Sequence, residues 1–306
     1  NFPVQDVVLW TNLISSYADQ GFVEGVLDCL ERMHLSVLNP DSRTFVCSLK
    51  GCSITRTLEI GQKIHGEVVV RGLEGEIYVG HTPIDMNAKC GSLLEAQMLF
   101  EKLPVRSVIP WTSLITGYVQ CGSCDEALKC FNQMQDEGMY PDAVTYICIL
   151  KACGISRDLE QGKELHDEIR RKGLASDVFV GSTLVSMYGK CGAVTEAEVV
   201  FSSLCQRNIV SWNAMLSVYV LNALVKDAFA LYEQMSGSNV IPDKFTYNTV
   251  LSACCGESDL EQGHQIHTDI IFYGIEIQAG IGTGLIGMYN KCGRVEAARK
   301  EFERQH

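Results

Sequence analysis

A chain of 306 residues with 46% apolar side chains has the material for a continuous hydrophobic core. No apolar run approaches the roughly 18 residues that a membrane-spanning helix needs, and the first residues carry neither a secretory nor a transit signal. The formal net charge of −12 is an objection to nucleic-acid binding, which usually shows a basic footprint. Fourteen cysteines fall mostly inside apolar helical patterns, where a thiol packs as a small hydrophobe. That usage points to a reducing compartment, not to a disulfide framework.

The three tryptophans, Trp10, Trp111 and Trp212, stand 101 residues apart, and other words keep the same period. Pro-Asp recurs at 40–41, 141–142 and 242–243, and Lys-Cys-Gly at 89–91, 190–192 and 291–293. Leu-Glu-x-Gly-x-x-[Ile/Leu]-His recurs at 58–65, 159–166 and 260–267. The chain is therefore three copies of one unit, the mark of a repeat architecture.

Each unit divides into stretches of 35, 35 and 31 residues. The first gives 7–41, 42–76 and 77–107, and the second 108–142, 143–177 and 178–208. The third gives 209–243, 244–278 and a shortened 279–306. Residues 1–6 resemble the end of such a stretch (compare 103–107), which implies a chain that begins and ends inside a longer one. Every stretch reads as helix, turn, helix. In 178–208, Phe179, Leu184, Val185, Met187 and Tyr188 fall at helical spacing, 189–192 interrupt it, and Ala197, Val200, Phe201 and Leu204 resume it. Pro40, Pro141 and Pro242 are expected to help end the second helix, and the Asp after each to cap the next one. Strand-like alternation is absent, so the repeats bury their apolar faces against neighbours.

Stretches of 35, 35 and 31 residues resemble the P, L and S motifs of the plant pentatricopeptide-repeat family. The S likeness rests on Val-Phe-Val-Gly-x-x-Leu-Val-x-Met-Tyr-x-Lys-Cys-Gly at 178–192. The L likeness rests on Phe245-Thr246-Tyr247 with 260–267, and the P likeness on Val-Ser-Trp-Asn-Ala-Met at 210–215. The resemblance covers the chain from Val7 onward. It implies an all-α fold, a right-handed α-solenoid superhelix of helix-turn-helix repeats. It also implies single-stranded RNA as partner, one base per motif, with the protein's N-terminus at the RNA's 5′ end.

In the family the fifth and last residues of a motif select the base. Carried over, the P motifs offer Thr11 with Asp41, Thr112 with Asp142, and Asn213 with Asp243, implying guanine, guanine, and uracil or cytosine. Ser182 with Asn208 implies adenine. His81 with Ser107 is off the pattern and receives no base. Val46 with Glu76 and Ile147 with Asp177 have an apolar fifth residue, Asn248 with Gln278 predicts poorly, and the last motif has only Thr283. The implied target is 5′-G-x-x-G-x-A-[U/C]-x-x-3′, with x unread. Asp, Ser and Asn at these places are equally the preferred N-caps of the following helix, and the two roles can coexist.

The second residues are Val8, Arg43, Tyr78, Ile109, Val144, Phe179, Val210, Phe245 and Gly280. In the family this residue wedges against a base. Aromatic and branched apolar side chains suit stacking on base faces, whereas ordinary packing between repeats is the plainer reading. Lys89, Lys190 and Lys291 follow the fifth residue by eight positions, and Lys50 and Lys151 by four, which puts a line of lysines near the groove for phosphate contact. The acid excess is expected on the second helices, for example at Glu95, Glu126 and Glu196.

His65-x-Glu67, His166-x-Glu168 and Cys121-x-x-Cys124 have the outline of a zinc deaminase signature. The columns argue against it: His65, His166 and His267 hold one structural place, and Cys121 and Cys124 correspond to Gln20 and Val23. The sequence therefore implies a monomeric binding module with no cofactor, no metal, no membrane contact and no catalysis. Solenoids of P, L and S motifs mostly serve C-to-U RNA editing in the mitochondrion or chloroplast, with a deaminase-like domain beyond the repeats. Editing-factor proteins contacting the L motifs are a further implied partner. A protein-interaction solenoid that does not bind RNA is the alternative.

Overall fold

The computed structural model describes residues 6–238, 240–254, 256, 259–275 and 279–304, so Gln278, residues 1–5 and residues 305–306 lie outside the described residues. Among the described residues every regular element is helical. The chain packs as two compact units, 1–152 and 153–306.

In the first unit, the first helices of successive hairpins are α1 (Val7–Asp19), α3 (Ser42–Thr55), α5 (Ile77–Lys89) and α7 (Val108–Gln120). They alternate with α2 (Val23–Leu35), α4 (Leu58–Val70), α6 (Leu93–Glu101) and α8 (Cys124–Asp136), and α9 (Ala143–Ser156) follows. The first helices lie against one another in series, α1 on α3, α3 on α5 and α5 on α7. Trp10, Ile14, Phe45, Leu49, Ile64 and Met86 meet between them in one core.

The second unit repeats the plan. α10 (Leu159–Arg171) precedes the hairpins α11 (Val178–Lys190) with α12 (Val194–Ser203), and α13 (Ile209–Leu221) with α14 (Val225–Ser236). α15 (Lys244–Ala253) with α16 (Leu260–Phe272), and α17 (Ala279–Lys291) with α18 (Val295–Glu303), complete it. Here α11 packs on α13, α13 on α15, and α15 on α17.

The recurring words have physical causes. Lys-Cys-Gly ends a helix: Gly91 takes φ 84°, and the N–H groups of Gly91 and Ser92 donate to Ala88 O and Asn87 O at 3.1 and 2.9 Å. This left-handed stop satisfies the last carbonyls and favours glycine. In Leu-Glu-x-Gly, a Cβ on Gly162 or Gly263 would stand 2.5 Å from the sulfur of Met187 or Met288, so the glycine admits the methionine of the next helix. Trp111 and Trp212 meet Phe100 and Phe201 edge-on, with ring centroids 4.4 and 5.2 Å apart, and Arg106 and Arg207 cover those phenylalanines at 4.8 Å.

Proline does not stop the second helices as the sequence suggested. α8 ends at Asp136, where Gly138 (φ 75°) turns the chain and Met139 N–H donates to Met134 O at 3.0 Å. Pro141 comes later, buried in the connection to α9. The left-handed turn has already closed the helix before proline is reached.

The hairpin of α5 and α6 is the irregular one. Pro83 lies inside α5 where α11 and α17 carry the fully buried Leu184 and Leu285. Asn87 stands where Tyr188 and Tyr289 each pair with a histidine at 2.8 Å. Asn87 Nδ2 donates to Pro83 O at 2.9 Å, while its buried Oδ1 finds no partner. A half-open pocket of about 230 Å³ lies beside Pro83, lined by His65, Val68 and Leu99 among others. Pro83→Leu should raise stability by about 1–3 kcal/mol, because it restores a helical hydrogen bond and fills space. Thermal unfolding checks this; an unchanged or lower midpoint would count against it.

Candidate nucleic-acid interface

The N-terminal turn of each first helix carries the residues singled out in the sequence. In α1 the fifth residue, Thr11, is only 2% exposed. Its Oγ1 lies 2.8 Å from Val7 O and 2.7 Å from Oγ1 of Thr44, the third residue of α3. Thr44 in turn donates its N–H and its hydroxyl to Asp41 Oδ1, at 2.8 and 2.7 Å. Thr112, Thr145 and Asp142 repeat the set: 3.0 Å to Val108 O, 2.7 Å between hydroxyls, and 2.8 Å for both bonds to Asp142 Oδ1. Thr112 is half-buried and so the more accessible of the two threonines.

In the second unit Asn213 Nδ2 donates to Asp243 Oδ1 at 3.1 Å, and the Thr246 hydroxyl reaches Asn213 Oδ1 at 2.7 Å. Thr246 N–H donates to Asp243 Oδ1 at 2.8 Å, and Asp243 N–H donates back to Thr246 Oγ1 at 3.1 Å, closing a capping box. Burial alone would raise the Asp243 carboxyl pKa, but the donors from Thr246 and Asn213 outweigh it and hold the group below the ordinary carboxylate value. In all three sets the carboxylate caps a helix through Oδ1 while the residue stays exposed.

The remaining pairs are built differently. Ser182 Oγ donates to Val178 O at 2.6 Å, and Asn208 caps α13 by accepting from Val210 and Ser211 N–H at 3.0 and 3.1 Å. His81 is 6% exposed, and its Nδ1 and Ser107 Oγ are buried with no hydrogen-bond partner. Burial pushes the His81 imidazole pKa down, which keeps the ring neutral at pH 7. Asn248 is half-buried with Oδ1 unpartnered. These fifth residues are thus packed against their neighbours and not displayed on open helix faces.

The second residues are the reverse. Val8, Tyr78, Ile109 and Val144 in the first unit, and Phe179, Val210 and Phe245 in the second, are between 42% and 77% exposed. Exposure of this order leaves each of these side chains with free apolar surface beyond its packing contacts. Arg43 and Gly280 are exposed as well.

One cleft of about 280 Å³ in the first unit brings the columns together. Tyr78 and Ile109, second residues of α5 and α7, share it with the fifth residues Val46 and His81 and with Lys50. It also contains Asp85, which the sequence reading missed. Asp85 accepts from Lys89 Nζ at 2.8 Å and from Ser113 Oγ at 3.2 Å. The signal was available: Asp85 lies one turn beyond His81, where the other units carry Ser186 and Gly287. A phosphate approaching Lys89 must therefore compete with Asp85. Lys291 Nζ donates to Ser252 O at 3.3 Å, and Lys50, Lys151 and Lys190 are exposed.

The histidine column is structural. His166 and His267 bond through Nδ1 to the hydroxyls of Tyr188 and Tyr289 at 2.8 Å. Burial lowers both imidazole pKa values and pushes the Tyr188 hydroxyl up to about 12, so these pairs are neutral. Among the described residues no three His, Cys, Asp or Glu side chains stand close enough to hold a metal ion. No described helix is long and apolar enough to cross a membrane.

Sequence profiles of the PPR repeat family match residues 106–155 and 207–256, and those of the PPR repeat match 8–36, 144–174, 182–209 and 245–275. A pentatricopeptide repeat-containing protein of Arabidopsis thaliana is 35% identical over 300 residues, 98% of this chain and 43% of its own length. The chain belongs to the pentatricopeptide-repeat family. A mitochondrial member from the same plant is 33% identical over 97% of this chain and 29% of its own, and a chloroplastic one 34% over 98% and 37%. This pentatricopeptide-repeat chain thus spans less than half the length of these relatives. Its fold matches that of PPR10, solved in complex with an 18-nt psaJ RNA element, with a TM-score of 0.74 at 20% identity. That match covers 99% of this chain and 45% of the other. PPR10 from maize gives a TM-score of 0.55 at 18% identity, over 98% and 54%.

The capping role has a direct check. Asp243→Ala should cost about 1–2 kcal/mol in denaturant unfolding, while Asp243→Asn, which keeps the capping oxygen, should cost little. Equal losses for the two would remove Oδ1 capping as the cause.

Proposed function

We propose that this chain binds single-stranded RNA sequence-specifically, one base per hairpin, as the specificity module of an organellar RNA-processing factor. The observation that carries the reading is the pairing of an exposed apolar second residue with a fifth residue wired to an exposed carboxylate. A base wedged between successive second residues, such as Tyr78 and Ile109, gains stacking contact irrespective of sequence. Its Watson–Crick edge then faces the selector pair, the edge that single-stranded RNA leaves open to a protein.

The chemistry of the pairs supports the assigned bases. Thr112 with Asp142 offers oxygen acceptors, which suit guanine because its edge carries two adjacent N–H donors. Asn213 with Asp243 offers a donor beside an acceptor, which suits a pyrimidine. Thr11 with Asp41 takes guanine on the same grounds, and Ser182 with Asn208 takes adenine by family resemblance. The exposed lysines Lys50, Lys151 and Lys190 supply phosphate contact, partly offset by Asp85 and the acidic total.

The triplets 7–107, 108–208 and 209–306 are read as P, L and S motifs, which favours C-to-U editing with the deaminase-like domain outside this chain. Relatives named mitochondrial and chloroplastic support an organelle, and PPR10, which binds an RNA element, shares the fold. Editing-factor proteins on the L motifs belong to the same proposal.

Fluorescence anisotropy at low salt tests it, with 5′-G-x-x-G-x-A-[U/C]-x-x-3′ against an RNA scrambled at the four read positions. Scrambling should weaken binding by on the order of tenfold or more, as expected for lost base-edge hydrogen bonds. Added salt should weaken both RNAs. Thr112→Asn should move the preference at its base toward a pyrimidine. Equal affinity for the two RNAs would refute the base assignments, and no binding at all would favour a protein-interaction solenoid.

A further inference from the structure

The third residue of the helix after each selector, Thr44, Thr145 or Thr246, touches both members of the selector pair. We infer that these threonines are positioning residues for base selection: each fixes which way the hydrogen-bond donors of its selector pair point. The inference rests on the RNA-binding reading above and deepens it.

Hydroxyl protons can be counted. Around Thr112 there are three short oxygen contacts, to Val108 O, between the two hydroxyls, and from Thr145 to Asp142 Oδ1. Only two hydroxyl protons serve them. The carboxylate is the strongest acceptor, so Thr145 donates to Asp142. Thr112 then spends its own proton on Thr145 Oγ1 or on Val108 O. In either case its proton is consumed inside the protein, and towards a ligand Thr112 is an acceptor only. The exposed Asp142 carboxylate adds acceptors of its own, so the pair offers acceptors and no donor. Thr11, Thr44 and Asp41 repeat this arrangement.

At Asn213 the same threonine position sets a different face. Asn213 Nδ2 donates to Asp243 Oδ1, and this N–H to the carboxylate pins the amide with its Oδ1 towards Thr246, whose single hydroxyl proton has Asn213 Oδ1 at 2.7 Å and Asp243 Oδ1 at 2.9 Å both in reach. One N–H and one oxygen lone pair remain, a donor beside an acceptor. The hydroxyl thus works with either fifth residue by holding it in register with the carboxylate.

Among the described residues the other junctions show no such bridge. The third residues of α5 and α11 are the apolar Val79 and Val180, and Ser211 of α13 donates to the backbone oxygen of Asn208 at 2.9 Å. Among the described residues, the fifth residue and the capping carboxylate are joined through side chains where a threonine stands third.

Thr145→Val keeps the shape and the N–H cap but deletes the hydroxyl. The test measures the affinity of the chain for four RNAs that differ only at the base facing Thr112. In the parent chain guanine should bind best. Thr145→Val removes the nearer of the two internal partners of the Thr112 hydroxyl and leaves only Val108 O at 3.0 Å, so its proton is held less firmly and the preference for guanine over adenine should fall by roughly fivefold, about one hydrogen bond. Thr145→Ser should restore it. Thr246→Val should likewise blur the pyrimidine preference at its own base while leaving the guanine preference at Thr112 intact. If Thr145→Val weakens all four RNAs equally with an unchanged ratio, the hydroxyl is only structural and the inference fails. If the parent chain itself shows no preference at that base, the base-reading proposal fails, and the inference with it.

Discussion

A two-helix hairpin cannot cover its own apolar face, and the packing of first helix on first helix is what the rest of this molecule depends on. Within each unit the first helices lie against their neighbours in series, with Trp, Phe, Leu and Met side chains closing the gaps. That packing fixes the spacing of the N-terminal turns, and the turns carry the candidate base-contacting residues. The close approach of the Gly162 backbone to the Met187 side chain sets the distance at which a second helix can meet the first helix of the next hairpin. The site is a by-product of how the repeats stack, not an addition to them.

Much of this was legible in the sequence because repetition turns one chain into an internal comparison. The tryptophan period, the Lys-Cys-Gly stop and the Asp caps each report a local constraint that every unit must satisfy, so helices and turns could be placed from them. Proline was misread because it sits near a helix end without causing it; the left-handed residue ahead of it, Gly138 or Val37, does that work. The burial of Thr11 and Asn213 was not legible either. A polar residue within an apolar helix reads as a group held out for a ligand, and nothing local announces that a threonine 33 residues further on will meet its side chain. Asp85 escaped for the opposite reason: it belongs to one unit only, and attention fixed on columns overlooks the exception.

Charge acts locally here. The carboxylates near the candidate interface are mostly committed: Asp41, Asp142 and Asp243 to helix starts, and Asp85 to Lys89 and Ser113. Each is partly neutralised by donors it already holds, so an acidic total need not mean a repulsive groove. The same commitments limit the free cations, since Lys89 is paired and Lys291 is turned to a carbonyl. On the RNA-binding reading, affinity on this surface would lean on exposed apolar side chains more than on phosphate attraction.

The capping carboxylates have an evolutionary consequence. A side chain that starts a helix in this way is short and carries an oxygen, which favours aspartate, asparagine, serine and threonine wherever the cap is made; Glu76, at the start of α5, makes none. On the RNA-binding reading, a lineage drifting toward a new transcript is free to change the fifth residue but has four favoured letters at the cap. The vocabulary of recognition would then be bounded by the needs of the scaffold, and new words would be coined one helix turn away from it.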